Sequence, residues 1–211
     1  MCQFKSIFLS SEKSPAPSNF ENLKLAVNSQ KCIRASGKHC DFDTIGKNGK
    51  HHTFFEMLGN WAFNGNLSKL EACEQAWRLL TEDRFFVTYF GGCPEQNLDP
   101  DFETRDIWLR KIGLAENRVL SLPLADNFWE MGRSGPCGPC TEIFYFNLDI
   151  ADVKKTTLDQ CTEVWNLVFI QYDRNSDGNL HNLPKMHLDT GKKRKIYLFQ
   201  AKNLNLNCPE F

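Results

Sequence analysis

Between Cys161 and Tyr172 the chain is almost continuously apolar, and Asn175-Ser176-Asp177-Gly178 then turns it into a second arm that runs through Leu188. A β-branched and aromatic run closed by an Asn/Asp/Gly turn reads as a long β-hairpin. Phe85 to Phe90 is a further strand closed by Gly91-Gly92, Arg118 to Leu122 is another, and Asn127 to Asn147 holds two more, joined by residues 132–140. Helical signals fall before and between these strands. Ser68 followed by Glu71 forms a capping box, and Leu70, Cys73, Ala76, Trp77 and Leu80 share one face at helical spacing. Asp99-Pro100 reads as an N-cap followed by proline at the first helical position, opening a helix that ends at Gly113. Mainly hairpin-connected strands, preceded and interrupted by helices, define an α+β fold with an antiparallel sheet. The first residues, MCQFKSIFLS, read as a strand-like apolar run.

The chain has 211 residues with 41% hydrophobic content, enough for one large domain or two small ones. Lys and Arg total 25 against 26 Asp and Glu, so no global basic field draws in nucleic acid, and any such contact is local. The nine cysteines are odd in number and sit mostly one by one inside apolar runs, where a reduced thiol packs as a small hydrophobe. That usage fits a reducing compartment. No apolar run approaches the ~18 residues needed to span a bilayer, and the first residues lack the pattern of a secretory signal or transit peptide. Cys137 and Cys140 have the spacing of a zinc knuckle, with His39, Cys40, His51 and His52 as conceivable partners. A structural zinc site needs a second pair at defined spacing, and none exists here, so no metal ligands are expected. Pro136, Gly138 and Pro139 read instead as a rigid turn that aims Glu142 into a cleft. Lys192-Lys193-Arg194-Lys195 reads as a solvated charge run.

The stretch from Lys31 to Asn60 reads as strand, Gly- and Lys-bearing loop, strand. Gly37, Gly46 and Gly49 let its backbone turn at positive φ. Arg34 can grip a phosphate through two parallel hydrogen bonds, and the phenylalanines of the second arm can stack on a base. A basic surface hairpin with a Phe-rich core face fits the same residues. Asp189, in LDTG, has the placement of a ligand-facing carboxylate and also that of ordinary turn chemistry. Trp129 and Trp165 read by default as core aromatics.

Taken together and in this order, NSQKCIRASGKH, HHTFFEMLGNWAF, TYFGG, LDPDFETRDIWL, DNFWEMG, GPCGPCTEI and WNLVFIQY resemble the catalytic core of the alanyl-tRNA synthetases, which are class II aminoacyl-tRNA synthetases. The resemblance covers roughly Gln3 to Gly191, and GPCGPCTEI with DFETRDIWL leans toward the animal mitochondrial form. It implies a class II antiparallel sheet flanked by helices that activates alanine with ATP and Mg²⁺ and transfers it to the alanine tRNA. The Lys31 to Asn60 hairpin matches motif 2. By matched position Arg34 holds the α-phosphate and is the catalytic residue, with His39, Phe55 and Met57 completing the ATP site. The alanine pocket falls on Trp129, Asn166, Val168, Asp189 and Gly191. There Asp189 pairs with the substrate ammonium, Trp129 and Val168 wall off room for one methyl group, and Asn166 fixes the carboxylate. So small a pocket discriminates poorly against glycine and serine, since one methylene is worth only ~1 to 3 kcal/mol.

Against the family pattern, the chain is expected to be truncated at both ends. It starts inside the motif 1 region, and residues 192–211 depart from the run that carries the motif 3 arginine. Residues 1–191 are thus expected to form a partial aminoacylation domain and 192–211 a non-family tail. Arg133 also stands where an acidic residue is expected. The competing expectation is a catalytically inactive product that binds ATP or the adenylate, self-associates, or associates with the full-length synthetase. The compartment expected is the mitochondrial matrix or the cytoplasm, with no membrane partner.

Overall fold

The computed structural model describes residues 2–10, 17–20, 22–33, 47, 52–80, 84–146, 158 and 161–193. Its frame is an eight-stranded sheet built from β1 (Leu25–Ile33), β2 (Phe54–Ala62), β3 (Phe85–Phe90), β4 (Val119–Leu122), β5 (Phe128–Glu130), β6 (Gly135–Phe146), β7 (Cys161–Arg174) and β8 (Leu180–Lys193). The strand order is β1-β2-β8-β7-β6-β3-β4, with β5 added on β6. Every pairing is antiparallel except β3 with β4, which is parallel. The fold is therefore α+β around a mainly antiparallel sheet, as the hairpin pattern predicts.

The apolar run of β7 is explained by cover on both faces. Leu167 and Phe169 join one core with Val87, Ile143, Leu188, Trp108 and the buried side of α2 (Lys69–Arg78). Val168 and Ile170 point the other way, into a core with Trp61, Phe63, Cys140 and the N-terminal residues Phe4, Ile7 and Phe8. A strand sealed on both faces must be apolar at successive positions and not only at alternate ones. The capping box forms as the spacing predicts: Glu71 N donates to Ser68 Oγ at 3.2 Å and Ser68 N to Glu71 Oε2 at 2.8 Å.

Three local expectations are corrected. Residues 2–8 are a 3₁₀ turn followed by α1 (Lys5–Phe8), not a strand. Phe4, Ile7 and Phe8 lie at helical spacing, and winding the segment places all three against the sheet. The N-cap after β3 is Asp101, two residues later than expected, opening α3 (Phe102–Asp106), which continues as a π-helical stretch over Ile107–Ile112 and stops at Gly113. Asp101 wins because its carboxylate accepts from Thr104 N at 3.1 Å while Lys69 Nζ donates to it at 2.7 Å and 2.8 Å. Residues 135–140 lie in β6, and the turn is 131–134. Pro139 falls in the register shift of β6 between Cys137 and Cys140, and Pro136 is the second residue of the strand, places where a proline is tolerated. Gly138 is needed there for close approach, since a Cβ would run into the Phe169 carbonyl.

Lys69 and Asp101 are both buried, and the Lys69 ammonium also sits 5.0 Å from the Phe169 ring centroid. The pair ties α2 to the start of α3 under the sheet. Removing one partner strands the other charge in a dry interior, so Lys69→Met is expected to lower unfolding free energy by about 3–5 kcal/mol. Replacing both, as Lys69→Met with Asp101→Leu, is expected to recover part of that loss in urea denaturation.

Candidate functional site

Residues paired across an antiparallel ladder point to the same face, so the register dictates which side chains meet. Trp61 on β2 is paired with Asp189 on β8, Asp189 with Val168 on β7, and Val168 with Cys140 on β6. The adjacent row on the same face runs Gly59, Gly191, Asn166 and Glu142. One step further out Met57 is paired with Lys193. Four of the five residues expected to hold alanine, namely Asn166, Val168, Asp189 and Gly191, are thus neighbours on one face of β7 and β8. The fifth, Trp129, is half-buried on β5 and packs against the apolar cluster that contains Val168 and Trp61.

The glycines keep this face low. A Cβ on Gly191 would meet Met57 Sδ at 3.3 Å, and one on Gly59 would overlap the Trp61 ring. Met57 therefore lies across the floor from Gly191, with Phe55 further along β2 toward the loop end of the hairpin, paired with Cys32. The β1–β2 register closes on Ile33 and Phe54, in keeping with the strand, loop, strand pattern of Lys31 to Asn60. Arg34 and His39 lie outside the described residues.

Asp189 is buried and has no ion-pair partner among the described residues. Burial pushes its carboxyl up from 3.8 to about 7, against the positive charge of the chain's amino terminus and, less strongly, the nearby Trp61 indole N–H, which does not reach hydrogen-bond geometry. Glu142 is raised well above the usual carboxylate range, first by burial and then by the Glu163 and Asp126 carboxylates. Its Oε1 accepts from Asn166 Nδ2 at 3.0 Å. The site therefore holds two carboxyl groups that burial shifts toward their neutral forms. Among the described residues no group of three or more His, Cys, Asp or Glu side chains is placed to hold a metal ion. Cys137 and Cys140 are both buried and belong to different apolar clusters.

Sequence reasoning singles out Glu142 but as the product of a turn, whereas a strand delivers it. Trp61, which shares a row with Asp189, carries no sequence signal beyond being aromatic. The Asn127 amide, donating to the Cys140 carbonyl at 2.8 Å, fixes the bulged strand from below and has no sequence signal either.

A mainly antiparallel sheet with short helices, carrying Asp189, Asn166 and Glu142 on one face, fits the class II aminoacyl-tRNA synthetase fold. The family model described as tRNA synthetases class II (A) matches residues 1–207, and the chain belongs to that family. It is 50% identical over 211 residues to the mitochondrial alanine–tRNA ligase of Rattus norvegicus, an alignment covering 96% of this chain and 21% of the relative. The cytoplasmic alanine–tRNA ligase of Dictyostelium discoideum is 52% identical over 200 residues, covering 90% of this chain and 21% of that protein. The chain thus spans about a fifth of the length of the curated relatives it matches. Apo histidyl-tRNA synthetase of S. aureus aligns with 87% of this chain and 46% of its own, at 8% identity and a TM-score of 0.48.

The Asp189 carboxyl sets the sign of a pH effect. Below pH 4 folded and unfolded chains both hold the proton; from about pH 4 to 7 the unfolded chain ionises while the folded one does not, so stability falls as pH rises. Each pH unit of that interval costs about 1.4 kcal/mol, and the whole penalty amounts to a few kcal/mol. Asp189→Asn is expected to flatten this slope between pH 4 and 7, measured by urea unfolding against the unmodified chain.

Proposed function

We propose that this chain is a catalytic portion of an alanine–tRNA ligase, activating alanine with ATP to alanyl-adenylate for transfer to the alanine tRNA. The observation that carries the reading is the clustering of Asp189, Asn166, Gly191 and Val168 on one sheet face beside Met57, with Trp129 packed against the same cluster. An ionised Asp189 receives the alanine ammonium, whose charge offsets the cost of burying the carboxylate. Asn166 adds a polar contact, and Gly191 leaves room for the substrate backbone. Trp129 and Val168 bound a space for a methyl group and exclude longer side chains.

With alanine so held, a carboxylate oxygen attacks the α-phosphorus of ATP in line, the bond to the bridging oxygen breaks, and pyrophosphate leaves. Little proton transfer is needed, so the protein acts by positioning and by stabilising charge on phosphorus. Arg34, which follows Ile33 in the sequence, holds the α-phosphate, and His39 is assigned to the ATP site with it. Phe55 and Met57 on β2 lie under the base. Mg²⁺ bound with the ATP phosphates would supply charge neutralisation there. Residues 1–191 carry these groups. The relatives at this level of identity include mitochondrial and cytoplasmic forms, so either compartment suits the reading. No helix among the described residues is long and apolar enough to cross a membrane.

Alanine-dependent exchange of pyrophosphate into ATP tests the proposal. Exchange is expected with alanine, to fall by roughly 100-fold or more in Arg34→Ala, and to show a lower KM for alanine at pH 8 than at pH 6 as Asp189 ionises. Binding of ATP with no exchange under any condition would leave the inactive, adenylate-binding product as the function.

A further inference from the structure

The two ends of an amide are unlike: one donates and the other accepts, and the partner of one end decides what the other presents. Asn166 gives its Nδ2 to Glu142 Oε1 at 3.0 Å. Its Oδ1 is buried and has no hydrogen-bond partner among the described residues. The Cys140 thiol next to it feels the amide but is not placed to donate to that oxygen. Such an orphaned acceptor is unusual in a folded interior and calls for a donor that arrives from outside the chain.

The register shows where that donor would stand. Asn166 is paired with Gly191, which offers no side chain, and Asp189 lies two residues before Gly191 on the same face of β8. The strip over Gly191 is therefore flanked by two acceptors, the Asp189 carboxylate and the Asn166 carbonyl oxygen. A primary ammonium, with three N–H donors, can satisfy both; a carboxylate satisfies neither. We propose that Glu142 is a positioning residue, which holds Asn166 Nδ2 so that Oδ1 faces the pocket and reads the substrate ammonium together with Asp189. The inference rests on the alanine site proposed above and revises one detail of it, because Asn166 in this orientation does not fix the substrate carboxylate.

The test compares the unmodified chain with Glu142→Gln, which keeps an acceptor oxygen for Nδ2, and Glu142→Met, which has a similar length and none. Calorimetry is run with alanine, with 2-aminopropanol, which has the ammonium and no carboxylate, with propionate, which has the carboxylate and no ammonium, and with ATP. Glu142→Met is expected to weaken alanine and 2-aminopropanol alike by ~10-fold, leaving ATP unchanged, while Glu142→Gln stays close to the unmodified chain. A loss that falls on ATP equally would assign Glu142 a merely structural role and overturn the proposal. Equal alanine affinity in Glu142→Met and the unmodified chain would overturn it too. Should Glu142→Met fail to fold, the unmodified chain still decides: propionate binding more tightly than 2-aminopropanol overturns the assignment. No alanine binding by the unmodified chain would instead sink the alanine site itself, and the inference with it.

Discussion

The antiparallel register of β2, β8, β7 and β6 is the constraint on which everything else depends. It lines up Trp61, Asp189, Val168 and Cys140 in one row and Gly59, Gly191, Asn166 and Glu142 in the next. A slip of one residue in β8 would carry Asp189 and Gly191 to the opposite face, under α2, and bring Leu188 and Thr190 into the pocket. Burial on both faces of β7 is what forbids the slip. Leu167 and Phe169 fit one core, Val168 and Ile170 the other, and the two sets are not interchangeable. The chemistry of the site is thus held by packing on the sheet's far side as much as by the groups that face a ligand.

That packing keeps two carboxyl groups out of water. Asp189 and Glu142 are both shifted upward chiefly by burial, so the folded chain holds groups that resist ionising and that added positive charge would favour in their charged forms. Such a site is costly to fold and selective once folded, because a ligand that brings positive charge relieves a penalty that a neutral analogue leaves in place. By contrast, the buried Lys69–Asp101 pair satisfies itself, with Thr104 donating its N–H and hydroxyl to the same two carboxylate oxygens, and contributes to the framework.

Much of this is legible in the sequence because local chemistry and tertiary context agree. The long apolar run with its Asn-Ser-Asp-Gly turn, the capping box at Ser68 and the aromatic strand before Gly91-Gly92 each signal one structure, and each forms it. Reading fails where a segment answers to distant partners. GPCGPC has turn composition, but β5 and β7 pair with it on either side and keep it a strand. Asp101 takes the cap from Asp99 because Lys69, far away in the chain, is buried against it. The N-terminal residues wind into a helix because Phe4, Ile7 and Phe8 must reach the sheet together. The residues expected to hold alanine come from the family resemblance, and cross-strand register then joins four of them. The hydrogen bond between Glu142 and Asn166 is invisible in the sequence, since no spacing links positions on different strands.

Calorimetric titration with a non-hydrolysable alanyl-adenylate analogue tests the central claim most directly, because one ligand spans the alanine pocket and the nucleotide floor at Met57. One site per chain is expected, with affinity reduced by about 100-fold or more in Asp189→Asn, where the ammonium loses its counter-charge. Binding of equal strength in Asp189→Asn, or none in the unmodified chain, would contradict the account.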